Sequence, residues 1–394
     1  MSKKITDIHN VYAHAVESGI KKEGLDLAYI YLPTAVATAG VFTQHVFKAS
    51  SITYTQACMT KQVIKAVVIN AGNANAVTGV QGEHDTCTIA ETAAAYLGLN
   101  KEEVAVASTG IIGVNLPMGK IKKGLKTLCV NPQETHADHV AEAMLTTDLT
   151  KKEVWVEQQI GNHVIQVAGL TKGSGMIAPN MATTLGFLVT NAGISQEQLQ
   201  DVFTACIDES YNMMSVDTDT STNDMALCFA TGECPLDSDN KDEMKAFKEL
   251  LKKACVSLAV QIAKDGEGAS KLIEVQVIQA KTTSIAKRLA KQVVDSPLVK
   301  TAIHGEDPNW GRFIMALGKG NPDGLDPACI SISIGNYTLI KNGAPEPIDR
   351  ELVAQTMNGN HVILTIDCGV GNAKATAWGC DLTHGYITIN TEYN

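Results

Sequence analysis

Between Thr171 and Leu185 the chain reads T-K-G-S-G-M-I-A-P-N-M-A-T-T-L. Within that string, Ala182-Thr183 carries the residue types for a nucleophile made by self-cleavage. A threonine hydroxyl in a strained turn attacks the carbonyl of the residue before it. The peptide shifts from nitrogen to oxygen, and the ester hydrolyses. The new N-terminal threonine keeps a free α-amine with a reference pKa of about 8, which serves as its own base. A small preceding residue, nearby glycines and few competing charges favour this chemistry. Gly173 to Gln196, 24 residues, has no formal charge. Two other readings compete. Gly173-x-Gly175-x-x-Ala178 fits the loose dinucleotide fingerprint, but Pro179 falls where the following helix should be under way, and Thr184–Thr190 looks like a strand. The third reading is a glycine-rich turn between two buried strands. On chemistry alone all three stay open.

Other chemical signals are weaker. Asp217-x-Asp219-x-Ser221 begins like a calcium loop, yet position six is Thr222 and position twelve is Cys228. His136-x-x-His139 fits one helix face but has no evident third ligand, so no metal is expected. There is no Gly-x-Ser-x-Gly elbow and no phosphate-cradling Gly-Lys-Thr string. The ten cysteines include no Cys-x-x-Cys and read as reduced thiols of a cytoplasmic protein.

The elements that must position these residues alternate in type. Lys65–Asn70, His163–Gly169, Thr184–Thr190, Ile273–Ala280, Cys329–Ile334 and His361–Asp367 are rich in Val and Ile and read as strands. Ile89–Leu97, Thr135–Leu145 and Ser195–Tyr211 read as helices, the last opening on a Ser195-x-x-Gln198 capping box. Lys241–Lys264 gives the clearest helix: Met244, Phe247, Leu251, Ala254, Leu258 and Ile262 follow the 3.6-residue period before Asp265-Gly266. The mixture predicts an α/β (α+β) fold. A length of 394 residues suggests two to three domains, and a boundary is placed within 281–297.

Composition bounds the partners. There are 32 basic and 42 acidic residues, a net charge of −10, which argues against a nucleic-acid or anionic-membrane binder. Leu27–Phe47 and Gly173–Gln196 are long enough uncharged runs to raise a membrane question, but Pro33, His45, Pro179 and Asn180 make them buried strand-and-turn segments. The first ten residues hold no apolar run, so no signal peptide is expected.

Several strings in one order resemble the ornithine acetyltransferases, also called glutamate N-acetyltransferases. They are Asn70-Ala-Gly-Asn-Ala-Asn75 with Thr78-Gly79, Ser108-Thr-Gly-Ile-Ile-Gly113, Thr146-Thr-Asp148 and Lys172-Gly-Ser-Gly-Met-Ile-Ala-Pro-Asn-Met-Ala-Thr183. Ser215-Val-Asp-Thr-Asp-Thr-Ser-Thr-Asn-Asp224, Asp265-Gly-Glu-Gly268 and His304-Gly-Glu-Asp-Pro-Asn-Trp-Gly-Arg312 follow. The resemblance spans nearly the whole chain.

The resemblance implies the two-domain fold of that family, with layered sheets and helices. It implies cleavage at Ala182-Thr183 into an α segment, 1–182, and a β segment, 183–394, assembled as a heterotetramer of two of each. Thr183 would carry the acetyl group; Thr109 and Gly110 would form the oxyanion hole. Thr146, Lys172, Thr183, Glu267 and Asn390 would bind substrate. A lysine in an uncharged stretch is costly to bury without an anion, and a substrate carboxylate suits Lys172. Glu267 would hold an amino group of ornithine. The implied reaction moves acetyl from N2-acetylornithine to glutamate in arginine biosynthesis, by a ping-pong route with no cofactor; acetyl-CoA is a second candidate donor. Two departures stand out. Many members have Gly where Thr218 stands, and the family's final hydroxyl residue, a substrate contact, has no counterpart after Tyr393-Asn394. A self-cleaving threonine amidohydrolase or aminopeptidase, and a non-catalytic amino-acid-binding homologue, are the alternatives.

Overall fold

The computed structural model describes residues 3–129, 135–178, 184–319 and 324–392. In chain order the elements are β1 (Tyr12–Val16), β2 (Leu27–Tyr31), β3 (Ala37–Phe42), α1 (Ser50–Met59), β4 (Ala66–Asn73), α2 (Gly79–Leu97), β5 (Val104–Ile111), α3 (Met118–Leu128), α4 (Ala137–Ala143), β6 (Lys152–Ile160), β7 (His163–Lys172) and β8 (Leu185–Gly193). Then come α5 (Gln196–Asp208), β9 (Met214–Ser215), β10 (Met225–Pro235), α6 (Lys241–Lys264), β11 (Leu272–Ala280), α7 (Thr283–Val294), α8 (Pro297–His304) and α9 (Trp310–Gly318). The last are β12 (Ser331–Ile334), β13 (Tyr337–Lys341), β14 (Ala344–Pro345), α10 (Arg350–Met357), β15 (His361–Asp367), β16 (Ala373–Cys380) and α11 (His384–Glu392). The mixed α/β class is as expected. The chain forms two compact units. The first is Met1–Gly173, Pro179–Asn212 and Thr220–Leu258; the second is Ser174–Ala178, Met213–Asp219 and Ala259–Asn394. The stretch 281–297 lies inside the second unit, where most of it is α7.

The first unit stacks two sheets. One has the order β1-β2-β4-β5, the other β3-β10-β8-β7-β6. Because side chains alternate along a strand, each sheet splits its apolar residues between two faces. Ala28, Ile30, Val67, Ile69 and Ala107 from the first sheet meet Leu170, Phe187, Val189, Leu227 and Phe229 from the second in one core. The opposite face of the first sheet, with Leu27, Tyr29, Val68 and Val106, buries Ile89, Ala93 and Leu97 of α2 and Ile121 and Leu125 of α3. On the outer face of the second sheet, Leu258 of α6 packs against Gly169, and α5 covers β3 and β10. β4 and β8 are buried along almost their whole length, which is why they read as continuous apolar runs rather than alternating ones.

The second unit centres on a seven-stranded sheet, β14-β13-β12-β15-β11-β16-β9. β11 runs parallel to β15 and antiparallel to β16. The apolar face of α7 (Ala286, Leu289, Val293) lies on β11 and β16. Side-chain caps start several helices: Thr282 accepts from Ile285 N–H, Asn309 from Arg312 N–H and Asp349 from Leu352 N–H. At α5, Ser195 Oγ accepts from Gln198 N–H at 3.2 Å, and the Gln198 side chain returns to Ser195 Oγ at 3.0 Å rather than to its backbone.

Candidate functional site

One group of expected site residues lies at strand ends of the first unit. β4 and β5 run parallel, and at their C-terminal ends Gly72 pairs with Gly110. Gly110 has φ +129, and a Cβ there would lie 2.3 Å from the Gly72 carbonyl carbon. Only glycine admits this approach and this dihedral. Asparagines and a serine hold the turns beyond. Ser108 donates to Asn70 Oδ1 at 2.7 Å, Asn70 Nδ2 to Asn73 O at 2.8 Å, and Asn73 Nδ2 to Val114 O at 3.0 Å. Asn223 Nδ2 reaches both Ala74 O and Ser108 O, at 2.5 and 2.9 Å. The string Asn70–Asn75 thus braces Thr109.

Lys172 ends β7, opposite Leu185 of β8, and is only 8 % exposed. Its ammonium donates to Thr146 Oγ1 at 2.9 Å and to Thr109 Oγ1 at 3.3 Å. Three expected site residues from separate elements therefore converge, and Gly110 adjoins Thr109. Of the two neighbouring threonines, Thr146 is the one whose hydroxyl meets the lysine.

Asp148 was part of a quoted string but had no expected role. It is buried, and it accepts Gly173 N–H at 2.6 Å, the Lys152 ammonium at 2.7 Å and Thr146 N–H at 3.1 Å. Lys172 Nζ lies 4.0 Å away. Burial alone would push this carboxyl up; the charges of Lys172 and Lys152 and the hydrogen bonds outweigh it and hold the pKa at about 2. The signal in the sequence was an acid two residues from Thr146 and four from another lysine. Lys152 is itself fully buried.

In the second unit, Glu267 is 7 % exposed and packs against Gly175, where a Cβ would meet its carboxylate at 2.3 Å. Asn390 Nδ2, on exposed α11, donates to Glu267 Oε2 at 2.7 Å. These two expected binding residues are in contact. The turn Ser174–Ala178 is pinned within the same unit. Ser174 Oγ donates to Asp265 O at 2.6 Å, and Asp217 accepts Met176 N–H and Ile177 N–H at 2.7 and 2.8 Å. Asp217, which opened the calcium-like string, is thus committed to backbone N–H groups, that of Asp219 included.

Ala182, Thr183 and Pro179 lie outside the described residues, as do Tyr393 and Asn394. The dinucleotide reading fails on its context. Gly173–Ala178 is not helical, and the next described element is strand β8, so among the described residues no helix N-terminus follows the glycines. His136 and His139 gain a neighbour in His14 of β1, with ring centroids 4.8 to 6.1 Å apart. Among the described residues, no group of three or more His, Cys, Asp or Glu is arranged to hold a metal ion. Burial pushes the thiols of Cys129 and Cys206 up to about 12, which makes them packing residues rather than nucleophiles. Among the described residues, no helix is long and apolar enough to cross a membrane.

Residues 12–394 match the model of the ArgJ family. The arginine biosynthesis bifunctional protein ArgJ of Bacillus thuringiensis subsp. konkukian is 41% identical over 379 residues, covering 95% of this chain and 92% of its own. Its namesake from Oceanobacillus iheyensis is 41% identical over 394 residues, covering 99% and 96%. The crystal structure of the arginine biosynthesis bifunctional protein ArgJ of Bacillus halodurans is similar with a TM-score of 0.51 and 40% identity. It covers 53% of this chain and 99% of the solved one.

Proposed function

The chain belongs to the ArgJ family and is an acetyltransferase of arginine biosynthesis, and on that premise we propose that it moves acetyl from N2-acetylornithine to glutamate through an acetyl-threonine intermediate. The observation that carries this reading is the buried Lys172 ammonium between the hydroxyls of Thr146 and Thr109. A buried cation beside hydroxyl donors is suited to an anionic substrate, and both amino-acid substrates present an α-carboxylate.

In the proposed sequence the chain first cuts itself between Ala182 and Thr183. Thr183 then attacks the acetyl carbonyl, with its own α-amine as base. Thr109 Oγ1 and the Gly110 N–H steady the tetrahedral oxyanion. Ornithine leaves with a proton. Glutamate enters the same pocket, and its α-amine attacks the ester. One amide is exchanged for another, so the reaction lies near equilibrium and needs no cofactor. Acetyl-CoA, where it is used, enters as an alternative acetyl donor. Glu267, held by Asn390, takes the amino group of ornithine.

A cut at Ala182-Thr183 leaves segments of 182 and 212 residues, here taken to assemble as two α and two β in the cytoplasm. The Bacillus halodurans chain, matched over 99% of its length yet spanning 53% of this one, supports a two-segment enzyme. The test is a denaturing gel with intact mass on the wild type and Thr183→Ala. Two wild-type fragments and one uncut mutant chain are expected, and a single uncut wild-type chain contradicts the mechanism. Acetylglutamate formation, against deacetylation by water alone, separates a transferase from an amidohydrolase.

A further inference from the structure

We propose that Asp148 is the positioning residue of the acyl-transfer site, aiming Lys172, Thr146 and Gly173 with one carboxylate. This rests on the reading of Lys172 as the substrate anchor. Asp148 Oδ1 accepts Gly173 N–H at 2.6 Å and the Lys152 ammonium at 2.7 Å. Its Oδ2 accepts Thr146 N–H at 3.1 Å and faces Lys172 Nζ at 4.0 Å. The Asp148 side chain has no exposed surface, whereas that of Lys172 keeps 10%. No substrate reaches Asp148, so it acts only through the groups it holds.

Geometry and charge make the role more than packing. The Thr146 N–H on Oδ2 sets the hydroxyl of the same residue toward Lys172 Nζ, 2.9 Å away. The Gly173 N–H on Oδ1 fixes the residue directly after the lysine. Fully buried Lys152 and nearly buried Lys172 share this one carboxylate, and the ammonium of Lys21 also acts on Lys172. Replacing the carboxylate with an amide leaves Lys152 and Lys172 without their shared countercharge in a low-dielectric site. Loss of the countercharge disfavours the ammonium form of both lysines, and Lys172 is the one with a side chain that keeps an exposed surface. A neutral amine no longer pairs with a carboxylate.

Wild type, Asp148→Asn and Asp148→Glu separate this role from simple packing. Trace labelling with acetic anhydride across alkaline pH, read on the Lys172 peptide by mass spectrometry, gives the titration midpoint of Lys172 without reference to activity. The Asn variant should titrate roughly one unit below wild type, and the Glu variant close to wild type. In steady state, the Asn variant should raise KM for glutamate and acetylornithine by about tenfold at alkaline pH, with a smaller effect near neutrality and on kcat. An unmoved midpoint with an unmoved KM profile overturns the proposal. Should the Asn variant stay uncut or unfold, the Glu variant decides: it must restore both cleavage and the wild-type midpoint, and a Glu variant no better than Asn overturns the role. A wild type that makes no acetylglutamate sinks the acyl-transfer reading, while the labelling midpoint still judges Asp148.

Discussion

Replacing Gly110 with alanine should damage stability and catalysis together, and the structure sets the size of the damage. Gly110 has φ +129, where side chains other than glycine's are strained; such a dihedral costs about 1–3 kcal/mol. The new Cβ would also fall 2.3 Å from Gly72 C and 2.5 Å from Asn73 N. Both are backbone atoms of the paired strand, so no flexible side chain absorbs the overlap. Forcing the strands apart adds about 1–3 kcal/mol. The sum, about 2–6 kcal/mol, is a large part of a stability of about 5–15 kcal/mol. It corresponds to a fall of roughly 2–12 °C in Tm. Thr109 moves with its strand, and a displacement near 1 Å costs about a hundredfold in rate. Two glycines nearby serve as controls. Gly113 has φ +83 with nothing within 4 Å of its Cβ position, so Gly113→Ala should cost only the dihedral part, about 1–2 kcal/mol. Gly119, in α3, has open space and no positive φ, so Gly119→Ala should stabilise by about 0.5–1 kcal/mol. Thermal unfolding by circular dichroism and acetyl-transfer rates on the three variants give the ranking. A Gly110→Ala protein that melts and turns over like Gly113→Ala would refute the reasoning.

Three further outcomes follow from the same contacts. Lys172→Met keeps the side-chain volume and removes the charge; kcat/KM for both substrates should fall by two to three orders of magnitude, about 3–4 kcal/mol, while the two-band gel pattern persists. Because the folded-state pKa of Asp148 is held at about 2, below its ordinary 3.8, its contribution is complete above the unfolded value and is lost as pH falls through 2. That contribution is about 2 kcal/mol, so urea unfolding between pH 4 and pH 2 should lose less stability in Asp148→Asn than in wild type. Asn390→Ala removes the donor to Glu267 Oε2 and should raise KM for acetylornithine severalfold, about 1 kcal/mol, with only a small fall in Tm since α11 has no buried residue.

What was legible in the sequence had strong local signals. The Lys241–Lys264 helix was read to the residue because its apolar period is unbroken, and the Val- and Ile-rich runs became β4, β7, β8, β11, β12 and β15 with small shifts at their ends. α2 begins at Gly79, ten residues before the expected Ile89, because its first turns bury Gly82, Asp85 and Thr86 rather than apolar side chains. β1 and β5 escaped notice, because β1 buries only Ala13 and Ala15 and β5 breaks its valines with alanines and a serine, whereas β3 lay within the strand-and-turn run Leu27–Phe47. The meeting of Lys172 with Thr146 and Thr109 came from the resemblance, since residues 26 and 63 positions apart carry no local period. Asp148 was missed because its partners come from two strands, β6 and β7, whose pairing puts Lys152 opposite Thr171; that register is tertiary information. The bracing asparagines were visible as a string, but their backbone partners were not.

The most direct test of the account is intact mass spectrometry of the cleaved enzyme incubated with N2-acetylornithine alone, followed by addition of glutamate. The account predicts one acetyl mass on the 212-residue fragment, located on Thr183 by peptide mapping and lost as acetylglutamate forms. A 212-residue fragment that stays unmodified while acetylglutamate still accumulates would contradict the acetyl-threonine route.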